Sequence, residues 1–347
     1  MPEAALPPVG RFVASRSSAP DSDAAAATLP PPTRRGIAGG HPDEFGVLAG
    51  LVADPAVTDV FVNGPGAVFA DRAGGLEPVP AIRLTEPEVR QLAVQLLTLG
   101  GRHVDEATPC VDARLHDGIR VHAVLPPVSP SGTLLSIRLP RLERLSLGAL
   151  EASGFFAGLS LAAVTALVER RENLLITGAG GSGKTTFLAA LLASAPHTER
   201  IVAIEDVAEL RIDHPHVVTL EARQANLEGA GEIGLSRLVR EALRMRPDRL
   251  VLGECRGPEI RDLLAALNTG HDGGAGTLHA NSLADVPARL EALGAIAGLS
   301  DSAIARQAVS AIGVVLHLAR VDGVRTLAQA GRLVLDDRGR LAVGELA

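Results

Sequence analysis

Residues 174–192 constrain this chain more tightly than any other stretch. A short apolar run, Leu174-Leu175-Ile176-Thr177, leads into Gly178-Ala179-Gly180-Gly181-Ser182-Gly183-Lys184-Thr185, and a helix-like run follows from Thr186 to Leu192. The pattern G-x-x-x-x-G-K-[ST], set between a buried strand and a helix start, brings backbone amides and a helix N-terminus to one anion site. Glycines let the main chain wrap a triphosphate, Lys184 reaches the β and γ phosphates as a compact charge, and the Thr185 hydroxyl would ligate Mg²⁺. The predicted nucleotide-binding set is therefore Gly178, Ala179, Gly180, Gly181, Ser182, Gly183, Lys184, Thr185 and Thr186.

Composition sharpens this reading. The 347 residues hold 33 lysines and arginines together, and Lys184 is the sole lysine. A GC-rich genome accounts for the scarcity, since it favours arginine codons, but not for the position of the survivor. Guanine is commonly recognised through an Asn-Lys-x-Asp motif, which a chain with one lysine already committed elsewhere lacks, so ATP is the expected nucleotide. A net charge of −7 and a pI near 5.8 argue against direct nucleic-acid binding, which rests on a basic surface. Of the possible base-stacking residues only Phe is present, and Phe61, Phe69 and Phe187 lie in apolar runs that read as core. Cys110 and Cys255 have no metal-ligand spacing and cannot build a disulfide framework, so a cytoplasmic setting is expected. No apolar run reaches the roughly 18 residues of a membrane span, and the N-terminus lacks the order of a secretion signal.

The length suggests two folded units. Residues 1–40, rich in Pro, Ala and Ser, read as a disordered tail, with order beginning near Asp43. Residues 41–140 read as a small α+β domain. Strands are expected at 57–62, 67–71, 120–124 and 134–139, with a helix that starts at a Thr85/Glu88 capping box and ends at Gly100-Gly101. Residues 141–150 form a hinge. From 151 to 347 helices alternate with the continuous apolar runs 174–177, 201–204, 217–220 and 250–253, the mark of strands buried on both faces in a largely parallel α/β sheet. Ligands bind such sheets at the carboxyl ends of the strands.

Hydrolysis needs carboxylates as well as a phosphate cradle. The run Leu250-Val251-Leu252-Gly253-Glu254 is a buried strand ending in an acid, as a Walker B strand does, with Gly253 where aspartate usually stands. Glu205-Asp206 and Glu209 follow another strand; alone, this cluster reads equally as a solvated strand end. His271 and His279 lie where histidines can sense or polarise a γ-phosphate, and each taken alone reads equally as a hydrogen-bonded structural histidine. Arg237, Arg240 and Arg244 recur at helical spacing and read as a solvated or intersubunit stripe.

Together the P-loop, the segments 204–210 and 243–249, Gly253-Glu254-Cys255-Arg256-Gly257, and Asn268 to Gly273 with Thr277-Leu278-His279-Ala280-Asn281-Ser282 resemble, in order, the Walker A, Asp box, Walker B and His box of the secretion traffic ATPases of type II, type IV and type IV pilus machines. In the first half, residues 58–65, 101–106 and 112–121 are similar to the Tad (tight adherence), CpaF-like branch. The resemblance implies a RecA-like C-terminal domain and a homo-hexamer. ATP and Mg²⁺ would be clamped between the two domains, with Arg114, Arg120 and Arg138 completing the phosphate site. Glu205 is the favoured base and Glu254 the Mg²⁺ holder through water; the roles are exchangeable, and Glu209 is an alternative to Glu205. It also implies peripheral attachment at the inner face of the cytoplasmic membrane through platform proteins. Conjugal transfer of DNA or effectors, and a non-hydrolysing regulatory scaffold, are the alternatives.

Overall fold

The computed structural model describes residues 42–72, 75–115, 118–139, 145–223, 231–321 and 323–346. The expected N-terminal tail, four residues of the expected hinge and residues 116 and 117 lie outside the described set. After a 3-10 segment, Pro42–Leu48, and the short helix α1 (Ala49–Ala53), the chain forms β1 (Val57–Asn63), β2 (Val68–Arg72) and β3 (Gly75–Pro78). Helix α2 (Glu86–Leu99) follows, then β4 (Cys110–Arg114), β5 (Arg120–Val124) and β6 (Leu134–Arg138). The six strands make one antiparallel sheet in the order β3-β2-β1-β6-β5-β4.

Alternation decides which face is covered. Val60, Val62, Val68, Ala70, Val121, Ala123, Leu135 and Ile137 point into a core shared with Val89, Leu92, Ala93, Leu96 and Leu97 of α2. That helix starts as its cap predicts, with the Thr85 backbone N–H donating to the Glu88 carboxylate at 2.7 Å. Phe61 and Phe69 correct the expectation of core residues. They face each other across the β1–β2 ladder on the opposite, half-exposed face, because their neighbours already fill the inner one.

The second half contains α3 (Leu147–Ala152), α4 (Leu161–Glu169), β7 (Leu174–Gly178), α5 (Lys184–Ala193), β8 (Ile201–Glu205), β9 (Val217–Glu221) and α6 (Leu235–Ala242). It continues with β10 (Arg249–Cys255), α7 (Glu259–Leu267), β11 (Ala275–His279), α8 (Val286–Ile296) and α9 (Asp301–Ala311). It ends with β12 (Val314–Val321), β13 (Val324–Leu335) and β14 (Leu341–Glu345). The sheet order is β14-β13-β12-β7-β11-β10-β8-β9. Strands from β12 to β9 pair in parallel, and β13 and β14 extend that sheet antiparallel at one edge. All five residues of β7 and of β8 are buried, as continuous apolar runs require, whereas β9 corrects the expectation of burial on both faces: it is the edge strand and none of its five residues is buried. Leu175, Val202, Ile204 and Leu252 pack under α6 to α9, while Leu174, Ile176, Ala203 and Val251 pack under α3 to α5. Each such Leu, Ile or Val side chain contributes roughly 1.5–3 kcal/mol of burial.

One charged cluster fixes where β10 begins. Arg249 is 2% exposed; its guanidinium pairs with Glu199 and donates to Val168 O at 2.9 Å. Arg171 joins from outside, 3.0 Å from Glu199. Removing the carboxylate would leave a buried guanidinium without its counter-charge. Glu199→Ala is therefore expected to cost about 3 kcal/mol or more of unfolding free energy, read from urea denaturation; a loss below about 1 kcal/mol would show that Arg249 does not need its partner.

Candidate functional site

The parallel order carries three strand ends to one place. Since β11 lies between β7 and β10, the end of β11 separates the P-loop from the end of the Glu254 strand. His279 pairs in register with Gly178, and Leu278 with Cys255. His279 therefore spans the gap. Its Nδ1 is 3.3 Å from Lys184 Nζ, and its Nε2 is 2.5 Å from Glu254 Oε1.

The loop itself depends on close backbone approach at its first residue. A Cβ at Gly178 would stand 2.5 Å from Ser182 Oγ and 2.6 Å from Leu318 O, and its φ of 149° lies outside the range of ordinary side chains. From there the chain turns into α5, whose second residue is Thr185. Lys184 is 7% exposed and donates to Gly178 O and Ala179 O, both at 3.1 Å. Burial lowers its pKa, opposed by the Glu254 charge. The Ser182 hydroxyl is buried with no partner, as expected of a group placed to meet a phosphate. Ala179, Gly180 and Thr186 stay exposed on the rim.

Glu205, at the end of β8, is 4% exposed. Its Oε1 accepts the backbone N–H groups of Glu209 and Leu210, each at 2.9 Å, and its Oε2 has no partner. Burial raises its pKa to about 7 against those two bonds. A carboxyl poised there accepts a proton near neutrality. Gly253 makes room for it: a Cβ there would lie 2.7 Å from Glu205 Cγ, so the residue that replaces the usual aspartate is small for a steric reason.

Glu254 carries more company than the sequence reading gave it. Besides His279, its Oε2 accepts from Arg256 at 2.7 Å (Nε), with Nη2 2.5 Å away. That bond raises the arginine's pKa. His279 is shifted the other way, down, first by burial and then by the Lys184 charge. A neutral ring suits its place, accepting from Lys184 at Nδ1 with Nε2 beside the Glu254 carboxylate. Arg256 was visible inside its motif but carried no site role there.

Thr185, Glu205, Asp206, Glu209, Gly253, Glu254 and Arg256 line one cleft, together with Arg120 from the first half of the chain. Oxygen donors of this kind, a hydroxyl beside carboxylates, fit a hard cation such as Mg²⁺, with Thr185 and Glu254 nearest the P-loop. Arg114, Arg120 and Arg138 stand in one register row across β4, β5 and β6. Arg120 pairs with Glu209 at 2.6 Å, and Arg114 reaches Glu221 at 2.6 Å and Ala208 O at 2.7 Å. Arg138 lies one strand further over, exposed and opposite Asp59, and does not line the cleft. His271 is not brought to the cluster either. It occupies the turn before β11, at the opposite end of that strand from His279, with Nδ1 3.1 Å from Ala266 O. Arg240 and Arg244 make surface ion pairs with Asp262 and Glu241, outside the cleft.

The Gly253–Glu205 contact yields a coupled test. Gly253→Ala overpacks the site and is expected to cost about 1–3 kcal/mol of stability. Combined with Glu205→Ala, the new methyl finds space, and the double variant should be more stable than the sum of the two single losses predicts. Strict additivity in urea unfolding would show that the two residues do not compete for the same volume.

With this geometry in place, comparison with known proteins identifies the family. The family model described as "Type II/IV secretion system protein" matches residues 42–330. A Mycobacterium tuberculosis protein provisionally named for conjugal transfer is 48% identical over 281 residues, 79% of this chain and 80% of its own length. The type IV secretion system protein VirB11 of Brucella suis is 31% identical over 254 residues, 66% of this chain and 70% of its own. Among solved structures, the pilus retraction motor PilT with bound ADP superposes with a TM-score of 0.58 at 20% identity, covering 86% of this chain and 80% of PilT. The Legionella pneumophila ATPase DotB gives 0.57 at 20% identity, covering 89% and 85%. At that identity the two structures speak for the fold, a RecA-like domain preceded by a smaller one. The sequence match over most of both chains settles the rest: the chain belongs to the type II/IV secretion system protein family.

Proposed function

We propose that this protein is an ATP-hydrolysing motor of a type II/IV secretion or pilus machine. The observation that carries the reading is the cleft, next to the buried P-loop lysine in sequence, in which the Thr185 hydroxyl and the carboxyl groups of Glu205, Asp206, Glu209 and Glu254 meet Arg120 from the other half of the chain. Lys184 and the loop amides bind the β and γ phosphates, and the unpartnered Ser182 hydroxyl adds a donor. Mg²⁺, held by Thr185 and through water by Glu254, would supply Lewis-acid polarisation of the phosphoryl oxygens. Glu205 takes the proton of the attacking water at its free Oε2. Glu209 remains the alternative base, now engaged by Arg120. His279 reports on Lys184 and Glu254 together and so senses phosphate between them. Arg120, and Arg114 beside it, swing from Glu209 and Glu221 to the phosphates as the halves close.

Two machines fit this motor. The tight-adherence pilus reading rests on the motifs of the first half, and places the chain as a homo-hexamer on an inner-membrane platform protein at the cytoplasmic face. The conjugal-transfer reading is favoured by the name of the Mycobacterium tuberculosis relative. Affinity capture from the native host separates them, since pilin-assembly partners support the first and a relaxase or coupling protein the second.

Lys184→Ala is expected to lower Mg²⁺-dependent ATP turnover at least 100-fold, and Glu254→Gln at least tenfold, in a steady-state assay of the purified protein; full turnover in either variant removes the enzymatic reading. The pH profile tests the base. Glu205 is protonated below about pH 7 and ionised above it, and only the ionised form accepts a proton. The kcat/KM for ATP should therefore rise with pH to a plateau above about 7, whereas a profile flat from pH 6 to 8 would exclude Glu205 as base.

A further inference from the structure

His317 is the one histidine among the described residues that the sheet buries, and it does not line the cleft. It is 3% exposed, in the middle of β12, on the face where its strand neighbour Val315 and Leu175 of β7 belong to the apolar core. In the parallel register it stands opposite Thr177, the residue immediately before the P-loop. Its Nδ1 lies 2.9 Å from Thr177 Oγ1, and the Asn281 main chain lies beside the ring. Burying an imidazole where Leu or Val would pack is costly unless directional bonds are gained in return.

Both partners adjoin the phosphate site. Thr177 precedes Gly178, whose carbonyl holds Lys184, and Asn281 follows His279 by two residues. Strand β12 already walls this corner, since Leu318 O blocks any side chain at Gly178. An imidazole has two in-plane nitrogens aimed in divergent directions, so one rigid ring can tie two segments at once.

We propose that His317 is a positioning residue. It ties the base of the P-loop, through Thr177, to the turn after His279, through Asn281, and thereby holds the His279 ring against Lys184 and Glu254. Its mechanistic consequence rests on the ATPase reading, but the placement itself has a readout independent of activity. Lys184 is the only lysine, so acylation by a lysine-selective ester, followed by peptide mass spectrometry that separates Lys184 from the N-terminal amine, reports directly on the ammonium that His279 contacts.

His279→Ala should raise the rate of Lys184 acylation at least threefold. His317→Leu, which keeps the bulk and removes both ring nitrogens, should raise it comparably. His317→Gln, which keeps a donor and an acceptor, should stay within twofold of the wild type. The double variant His279→Ala/His317→Leu should react no faster than His279→Ala alone, because His317 acts through His279. In turnover, His317→Leu should lose at least tenfold in kcat while ADP affinity changes less than threefold, again with no further loss in the double variant. Unchanged labelling in His317→Leu, or effects that multiply in the double variant, overturns the proposal. If His317→Leu does not fold, Thr177→Val removes the bond to the P-loop base at nearly constant volume and is judged by the same criteria. A wild type that labels as described yet hydrolyses no ATP would sink the motor reading while leaving the positioning role standing.

Discussion

A buried ammonium group is the constraint on which the second half of this protein turns. Lys184 is nearly inaccessible, and an isolated charge so placed would lose its proton or unfold its surroundings. It is held by two main-chain carbonyls and one imidazole nitrogen, at 3.1, 3.1 and 3.3 Å. The carbonyls come from the P-loop itself, but the imidazole comes from a strand 95 residues further on. That contact exists only because β11 inserts between β7 and β10, so sheet topology acts here as charge stabilisation. The same insertion lets the other edge of the ring meet Glu254. Strand order, lysine burial and glutamate placement are one arrangement viewed from three residues.

A weaker set of interactions joins the two halves. Arg120–Glu209 and Arg114–Glu221 are short but partly solvated pairs, and such pairs contribute about 0–1 kcal/mol each. The contrast with Glu199–Arg249, sealed inside the second half, is informative. The molecule spends desolvation on a fixed internal staple and leaves its inter-half contacts cheap to break. Pairs of that kind are cheap to break, which is what the proposed transfer of Arg120 from Glu209 to phosphate would require.

The parts of this design that were legible in sequence are those where one local rule acts alone. Continuous apolar runs marked β7, β8, β9 and β10, and the glycine-rich loop marked the strand that carries the site. β11 escaped because Ala275-Gly276-Thr277-Leu278-His279 has neither alternation nor an apolar run. Its strand character comes from being clasped between two others. His271 and His279 look like one box in linear order, yet the strand between them sends them to opposite ends of the sheet. Phe61 and Phe69 were misleading for the reverse reason. The run Val60-Phe61-Val62 is apolar throughout, so a period of two is invisible until the helix shows which face it covers. His317 interrupts Val314-Val315-Leu316 and Leu318 as a polar residue in a buried strand. That interruption was a usable signal, since a buried strand keeps a polar side chain only where bonds await it.

The lone lysine acquires a physical meaning from its neighbours. This chain buries two kinds of cation. Arg249 spreads its planar fork over a carboxylate and the Val168 and Gly273 carbonyls, and Arg171 bridges Glu199 to the Asp248 and Asp272 carbonyls. There the width of the guanidinium is the useful property, because several acceptors lie apart around it. At position 184 the acceptors converge on a point instead, with Gly178 O, Ala179 O and His279 Nδ1 all within 3.3 Å of one nitrogen. A guanidinium cannot bring one nitrogen into that focus without driving the others into the loop or the His279 ring. Spread acceptors suit a guanidinium and converging ones an ammonium, and the sole lysine of the chain stands where three acceptors converge on one nitrogen.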